Sequence, residues 1–219
     1  MTIRCLWGFL PRSVWNKLPQ IINRYDLGTR EKLAHFLGQC KAESNFMTVR
    51  ENLNYSAERL MKVFPRHFPN MAIAKQYEHN PVKIANKVYS NKLGNGNYST
   101  HQAEKFIGRG YLQITGKSNY IAFSEHIGEN CVQNPDLVAT KYPLESAGWY
   151  FNHRVGKKGN LPLNSSGVKV VTGAVKGSDK GYKGRLKVTQ IFGSIIDCTY
   201  TGKDFHTTKS VSGKDKSFR

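Results

Sequence analysis

The feature that most constrains the fold of this chain is a series of short segments in which apolar residues recur with the period of an α-helix. The clearest segment follows Thr29, a residue type that caps helix N-termini, and carries Leu33, Phe36, Leu37 and Cys40 at positions i, i+3, i+4 and i+7. Comparable patterns predict helices over residues 13–25, 56–64, 70–79, 81–90, 117–127, 135–141, 143–154, 168–176 and 184–196. The periodicity therefore predicts a mainly α fold.

Segments without this period separate or follow the predicted helices. Residues 91–110 are rich in glycine and asparagine, which predicts a long loop or a short hairpin, and such loops in compact domains are usually functional. Residues 200–219 are polar, basic and without period, so we expect a flexible tail. We predict one domain over residues 1–199, mainly α with a small β or loop insertion.

The composition excludes several classes of protein. The 219 residues contain 33 Lys and Arg against 15 Asp and Glu, which gives a formal net charge of +18. Hydrophobic residues make up 39% of the chain and aromatic residues 11%, too many for an intrinsically disordered protein. No stretch approaches the ~20 apolar residues of a membrane span. The charge predicts attraction to a polyanion, which leaves nucleic acid, an anionic membrane surface and an anionic wall polymer as partners.

The four cysteines are scattered at Cys5, Cys40, Cys131 and Cys198, and two disulfides among them would have three possible pairings. They form no CxxC pair and the histidines show no ligand spacing, so we expect neither a metal nor a cofactor. The first 15 residues lack the cleavage pattern of a signal peptide. We therefore expect synthesis in a cytoplasm that keeps thiols reduced.

Glu43 is the carboxylate whose position is most informative. It lies three residues after Cys40 and extends the apolar stripe of the best predicted helix to its C-terminal end. Partial burial and a helix C-terminus both disfavour the ionised carboxylate, which suits a general acid that works near neutral pH. The alternative is a solvated glutamate at a helix end, and position alone favours that alternative.

Glu51 follows eight residues later in the segment RENLNYS. In an extended backbone its side chain shares a face with Leu53 and Tyr55, while Asn52 lies on the other face. The adjacent Arg50 favours an ionised carboxylate, and a protonated acid opposite an ionised one is the pair that hydrolyses glycosides. A surface Glu beside a surface Arg is the alternative. We assign Asn52 and Tyr55 to substrate binding.

The segment 106–120 combines glycines with polar and aromatic side chains. A turn-and-strand element of this composition is suited to line a sugar-binding groove, although a purely structural loop remains an alternative. Its GKS sequence lacks the spacing of a phosphate-binding loop, and it has too few basic residues for a nucleic-acid element. The groove residues would be Arg109, Tyr111, Gln113, Thr115, Ser118, Asn119 and Tyr120.

These pieces occur in an order that resembles glycoside hydrolase family 19, in particular the bacteriophage endolysins of that family. The matching motifs are AES (42–44), RENLNYS (50–56), GRGYLQITGKSNY (108–120) and a helix that carries WYF (149–151). The resemblance runs from about Pro11 to about Phe192. It implies a mainly α, lysozyme-like fold with a deep cleft, and inverting hydrolysis of β-1,4 bonds next to N-acetylated sugars.

The resemblance assigns roles to individual residues. Glu43 matches the general acid and Glu51 the general base, with ~6.5–9.5 Å expected between inverting carboxyl groups. Thr115 matches the residue that helps hold the attacking water, and Arg185 matches an arginine that steadies the acid. The groups that bond the sugar correspond to Gln113 and Asn119.

Three departures from the family pattern accompany this match. Ala42 replaces a histidine before the acid, and Ser44 and Asn45 replace a pair of glycines, with one residue missing. An Asn-Gly-Gly segment near the C-terminus reads Lys176-Gly-Ser here. The first two affect the turn after the acid, and the third is expected to favour an anionic glycan.

The function predicted first is therefore a peptidoglycan-degrading endolysin that acts as a monomer on glycan strands in an anionic bacterial envelope. It would be made in the host cytoplasm and released through a holin, since no signal peptide is recognised. A chitinase that acts on neutral chitin is the second possibility. A basic protein that binds nucleic acid without sequence specificity and an inactive wall-binding module are alternatives from other classes.

Overall fold

The computed structural model describes residues 1–47 and 50–196. Within them the chain is mainly helical with almost no strand, which confirms the predicted fold class. Three 3₁₀ helices span Arg4–Phe9, Tyr98–Thr100 and Gly156–Lys158. The α-helices are α1 (Arg12–Trp15), α2 (Leu18–Arg24), α3 (Arg30–Ser44), α4 (Ala57–Val63), α5 (Met71–Lys75), α6 (Pro81–Tyr89), α7 (Gln102–Lys105), α8 (Lys117–Ile127), α9 (Leu137–Thr140), α10 (Pro143–Val155), α11 (Ser165–Lys176) and α12 (Tyr182–Ile195).

The helix boundaries follow local capping signals. Thr29 caps α3 by accepting a hydrogen bond from the amide of Lys32 at 3.2 Å, and Ser56 caps α4 in the same way. The apolar stripe of residues 13–25 divides into α1 and α2, because Pro19 occupies the first turn of α2. The predictions for these segments are confirmed.

The expectation of a strand within residues 106–120 is wrong. The described residues contain two isolated antiparallel bridges, which join Arg109 to Arg50 and to Ile114. Gly110 and Gly116 have φ values of 77° and 88°, and Gln113 has 53°. Such left-handed residues interrupt an extended backbone, so the segment forms turns that lead into α8.

The largest hydrophobic core surrounds α3 and includes residues from α1, α2, α10, α11 and α12. A separate core is built from α4, α5 and α6 together with Leu53 and Ile107. A third cluster joins α8 to the segment around Ile114. Glu43 therefore lies on the helix that the first core surrounds, whereas Glu51 lies two residues before Leu53, which enters the second core.

The packing of α3 against α12 is the most extensive contact between helices. It is close because Gly38 has no side chain, and a Cβ built on Gly38 would lie 2.2 Å from Oγ1 and 3.1 Å from Cα of Thr189. This approach brings α12 against the face of α3 that carries Gln39 and Glu43. The sequence separates these two helices by more than 130 residues.

None of the helices in the described part of the chain has the length and apolar content that a membrane crossing requires. Cys40 and Cys131 are buried and free. The predicted tail over residues 200–219 and Cys198 lie outside the described residues.

Candidate active site

Glu43 lies in the last turn of α3, with a fifth of its side chain exposed. The helix ends in two consecutive left-handed residues, Asn45 with φ 53° and Phe46 with φ 57°. Asparagine tolerates this conformation, whereas phenylalanine does not. Phe46 is nonetheless buried and makes edge-to-face contacts with Tyr111 and Phe192 at centroid distances of 6.1 and 6.2 Å. Aromatic packing therefore shapes the turn after Glu43, where the sequence lacks the glycines expected from the family pattern.

Arg185 of α12 reaches across to Glu43. Its Nη2 donates a hydrogen bond to Oε1 of Glu43, and its Nη1 donates to Oε1 of Gln39 at 2.6 Å. The guanidinium is buried, and Gln39 in turn donates to Oγ1 of Thr172 at 3.4 Å. These bonds hold the cation against the carboxylate.

Gln39 was missed by the sequence analysis. It lies one helical turn before Glu43 on α3 and is completely buried. The available signal was a polar residue next to the apolar stripe, four positions before the acid. A buried amide requires hydrogen-bond partners, but the sequence does not say which ones.

Glu51 is held from two directions. Its backbone amide donates to the carbonyl of Gly108 at 2.8 Å, and the amide of Gly108 donates to Oε2 of Glu51 at 3.2 Å. The hydroxyl of Tyr89 donates to Oε1 at 2.7 Å. Burial, followed by the charge of Glu51, raises the pKa of the Tyr89 phenol well above its ordinary value. The phenol therefore remains protonated and acts as a donor.

Each carboxylate lines its own cavity. We call the first the Glu43 cavity, which has a volume of about 310 Å³. Its lining residues are Glu43, Tyr89, Leu93, Leu112, Gln113, Thr115, Asn119, Tyr150, Val175 and Lys176. The Glu51 cavity is larger, about 660 Å³, and is lined by Glu51, Asn52 and Arg109 together with residues of α6 and α7.

Tyr89 and Gly108 connect the two cavities. The side chain of Tyr89 lines the Glu43 cavity, while its hydroxyl contacts Glu51. Gly108 binds Glu51 through its amide, and a Cβ at this position would lie 2.8 Å from Oε1 of Gln113 and 3.3 Å from Oγ1 of Thr115. Groups bonded to Glu51 therefore border the cavity that contains Glu43.

The predicted sugar-binding segment presents three of its polar side chains to the Glu43 cavity. Gln113 donates to the carbonyl of Gly110 at 2.8 Å, and Asn119 donates to the carbonyl of Thr115 at 2.7 Å. The hydroxyl of Thr115 donates to the carbonyl of Gln113 at 2.9 Å, so its oxygen retains acceptor capacity. These bonds fix the side chains that face the cavity.

Four residues assigned to the groove from sequence have other surroundings. Tyr120 is completely buried in the third cluster, and Ser118 lines neither cavity. Tyr111 is 3% exposed and belongs to the large core, packed against Phe46. Arg109 borders the Glu51 cavity but is 2% exposed, with its guanidinium bonded to Asp136 at 2.7 Å and to Tyr120 at 3.0 Å. The Arg109 donors are engaged within the protein and the Tyr111 ring packs in the core, so neither side chain is exposed for the predicted contact with substrate.

Asn52 and Tyr55, the two residues near Glu51 that were assigned to substrate binding, have different surroundings. Asn52 is exposed and lines the Glu51 cavity, where its Oδ1 accepts a hydrogen bond from the amide of Asn54 at 2.8 Å. Tyr55 packs against Phe64 at the edge of the second core and is not among the lining residues of either cavity. Only Asn52 is therefore positioned beside a carboxylate.

The described residues contain no group of three or more His, Cys, Asp and Glu side chains arranged to hold a metal ion. The cavities offer the carboxyl groups of Glu43 and Glu51, and the Glu43 cavity also carries the amide and hydroxyl groups of its lining residues. Two carboxyl groups can serve as the general acid and the general base in the hydrolysis of a glycosidic bond.

Comparison with known proteins concerns the family to which the chain is similar. Residues 67–209 match the glycoside hydrolase 19 family model, described as chitinase class I. A glycosyl hydrolase family 19 domain-containing protein of Haemophilus influenzae is 36% identical over 192 residues, which cover 86% of this chain and 92% of that protein. An acidic 27 kDa endochitinase of Solanum lycopersicum is 34% identical over 115 residues, 49% of this chain and 40% of that enzyme.

The fold of the chain is similar to that of a solved structure. The crystal structure of a mutant of chitinase C superposes with a TM-score of 0.51 and 16% sequence identity, and the match covers 83% of this chain and 68% of that one. At this identity the likeness concerns the fold alone. It supports the mainly helical architecture described above.

Proposed function

Because this chain belongs to glycoside hydrolase family 19, we propose that it is an endolysin that hydrolyses the glycan strands of bacterial peptidoglycan. The family membership makes it a glycosidase. The observation that carries the proposed mechanism is that Arg185 binds Glu43 at the edge of a cavity that also contains Gln113, Thr115 and Asn119. A carboxyl group held beside hydrogen-bonding side chains is suited to act on a bound sugar.

In the proposed reaction Glu43 donates a proton to the glycosidic oxygen as the bond to the anomeric carbon breaks. Glu51 removes a proton from the attacking water on the opposite face of the ring, so the configuration inverts. The hydroxyl of Thr115 helps to hold this water. Arg185 orients Glu43, and Tyr89 and Gly108 orient Glu51 through their hydrogen bonds.

The charge of the chain supports peptidoglycan as the substrate. Peptidoglycan carries lactyl and peptide carboxylates, and a protein of charge +18 concentrates on such a polymer at low ionic strength. Lys176 adds a cation to the lining of the Glu43 cavity. Chitin is neutral, so neither the net charge of the protein nor Lys176 would attract it.

Chitin remains the second candidate substrate, since the matched plant proteins are named endochitinases. The two substrates are separated by the salt dependence of the reaction. Hydrolysis of purified sacculi should weaken as salt rises, whereas hydrolysis of a neutral N-acetylglucosamine hexamer should not.

The decisive experiment is mass spectrometry of the fragments released from purified Gram-negative sacculi. Free reducing ends on the released muropeptides would support the proposal, and the sugar at that end would name the bond cleaved. Glu43→Gln and Glu51→Gln should each lower the rate by about 10²–10⁴-fold. Glu125→Gln, an exposed position on α8 outside both cavities, is the matched control and should keep full activity.

If the protein cleaves the hexamer but does not cleave sacculi, the peptidoglycan proposal is contradicted and chitin is favoured as the substrate. Tight binding of duplex DNA without hydrolysis of either glycan would favour the nucleic-acid alternative. We further propose that the protein acts as a monomer and reaches the wall from the host cytoplasm through a holin. Sedimentation of the purified protein and lysis of host cells with and without holin expression test these two points.

A further inference from the structure

Leu93 is an apolar side chain at the rim of the Glu43 cavity, and half of its surface is exposed. Its backbone has a φ of 52°, in the left-handed region. A branched apolar residue gains little from such exposure and loses roughly 1–2 kcal/mol from such a backbone. Folding alone therefore gives no reason for leucine at this position.

The neighbouring Asn91 provides an internal comparison. It belongs to the same turn and has a nearly equal φ of 58°. Asparagine is one of the few residues that tolerate this conformation. The chain thus has a suitable residue at Asn91 and an unsuitable one at Leu93, where the side chain faces the cavity.

The turn that carries Leu93 is fastened to the segment of Thr115. The carbonyl of Leu93 accepts a hydrogen bond from the amide of Ser118 at 3.0 Å. Asn95 donates to the carbonyl of Tyr89 at 3.0 Å and accepts from the amide of Lys117 at 3.0 Å. The position of Leu93 is therefore fixed from both sides.

Gly116 brings the two segments into direct contact. A Cβ on Gly116 would lie 2.2 Å from Cβ of Leu93 and 3.2 Å from its Cδ1. Leu93 consequently lies against Gly116, the residue after Thr115, and lines the same cavity as Thr115 and Glu43. The cavity has a polar group of Gln113, Thr115 and Asn119, and Leu93 adds an apolar surface next to it.

This combination fits an N-acetylated sugar, whose hydroxyl and amide groups accompany an apolar ring face and an acetamido methyl group. We infer that Leu93 is a substrate-binding residue that packs against the apolar surface of the N-acetylated sugar held beside Glu43. The inference rests on the proposed glycosidase function but not on the choice between peptidoglycan and chitin, because both polymers contain such sugars.

The test compares Leu93→Asn with Leu93→Met. Asparagine removes the apolar contact and suits the left-handed backbone, so the thermal midpoint should stay the same or rise. We expect KM for the N-acetylglucosamine hexamer, or for sacculi if only these are cleaved, to increase about five- to tenfold with kcat within twofold. Methionine keeps an apolar side chain and should restore KM to within about twofold.

Ile121→Asn is the matched control, since Ile121 is similarly exposed on α8 but lines neither cavity. Its KM should equal that of the unmodified protein. An unchanged KM in Leu93→Asn would overturn the inference, as would equal losses in the asparagine and methionine variants.

The inference can fail separately from the peptidoglycan proposal. If sacculi resist but the hexamer is cleaved, the peptidoglycan proposal fails and Leu93 is tested on the hexamer. If neither is cleaved, calorimetric binding of the hexamer to Glu43→Gln decides: weaker binding after the added Leu93→Asn change supports the inference. No binding to Glu43→Gln, or equal binding by both proteins, overturns it.

Discussion

The closest approach of α3 to α12 occurs at Gly38, and replacing this glycine should loosen the site as well as the fold. The added Cβ of Gly38→Ala would lie 2.2 Å from Oγ1 of Thr189, whereas ordinary contacts begin near 3.4 Å. Rotation of the threonine is no remedy, because its Cα is also only 3.1 Å away. The two helices must therefore move apart.

The expected loss of stability follows from two opposing effects. Overpacking a well-filled interface costs about 1–3 kcal/mol, while alanine gains about 1 kcal/mol over glycine in a helix interior. The net destabilisation should be roughly 0–2 kcal/mol, which lowers the thermal midpoint by up to about 8 °C for a domain of this size.

The separation of the helices should also lower activity. Arg185 lies one helical turn before Thr189, on the side of α12 that contacts α3. The contact with Cα of Thr189 requires a shift of a few tenths of an ångström, which moves the guanidinium relative to Glu43. Since misplacements near 1 Å cost roughly 10²-fold in rate, a loss of several-fold is expected. The activity of Gly38→Ala should consequently fall at 25 °C even where the protein is still folded.

Denaturant unfolding and hydrolysis rates measured on the same samples test the reasoning. Gly173→Ala on α11 is the matched control, because no atom lies within 4 Å of the added Cβ; it should gain up to about 1 kcal/mol. Adding Thr189→Ala to Gly38→Ala removes the nearest clash and should recover part of the loss. If Gly38→Ala is as stable and active as the unmodified protein, the close contact does not position Arg185.

Three further predictions concern the surroundings of the carboxylates and one buried histidine. Gly108→Ala should lower activity at least about tenfold with little change in the unfolding midpoint, since its Cβ would displace Gln113 from the cavity; equal activity would contradict this. Tyr89→Phe removes the hydroxyl that donates a hydrogen bond to Glu51, so the hydrolysis rate should fall about tenfold, and an unchanged rate would refute the assignment. Burial lowers the pKa of His35 below its ordinary 6.5, so protonation of this histidine favours the unfolded chain. The free energy of unfolding should therefore stay constant above pH 6.5. Below pH 6.5 it should decline by up to about 1.4 kcal/mol per pH unit. Denaturant titrations at pH 5 and 7 should show a smaller difference for His35→Gln than for the unmodified protein.

The helices were predictable because their signals are local. The stripe after Thr29 and the cap at Ser56 depend on residues within two turns of each other, and the structure confirms both. The expected strand around Gly110 was wrong for the opposite reason. Alternating side chains indicate a strand only if the backbone is extended, and three left-handed residues between Arg109 and Lys117 prevent this.

Three of the predicted groove residues line one cavity because they belong to a short motif with a fixed register, and sugar binding by them stays a prediction. Gln113, Thr115 and Asn119 reach the same cavity because two turns and the start of α8 place them within seven residues of each other. Tyr111 was assigned to this surface by its ring, but the ring completes the core below the turn after Glu43. Aromatic residues suit a sugar-binding groove and a core equally, so residue type did not distinguish them.

The sequence by itself determined the order of the helices, their caps and the residues available for acid and base chemistry, because these depend on neighbours along the chain. The family resemblance implied that Arg185 steadies Glu43, but only the tertiary structure decided that Gln39 binds Arg185 and that Tyr89 binds Glu51. These partners lie on helices far apart in sequence, and their hydrogen bonds form only when contacts such as that of Gly38 with Thr189 set the distance between helices. Periodicity reports which face of a helix is apolar, but it does not report which distant helix covers that face.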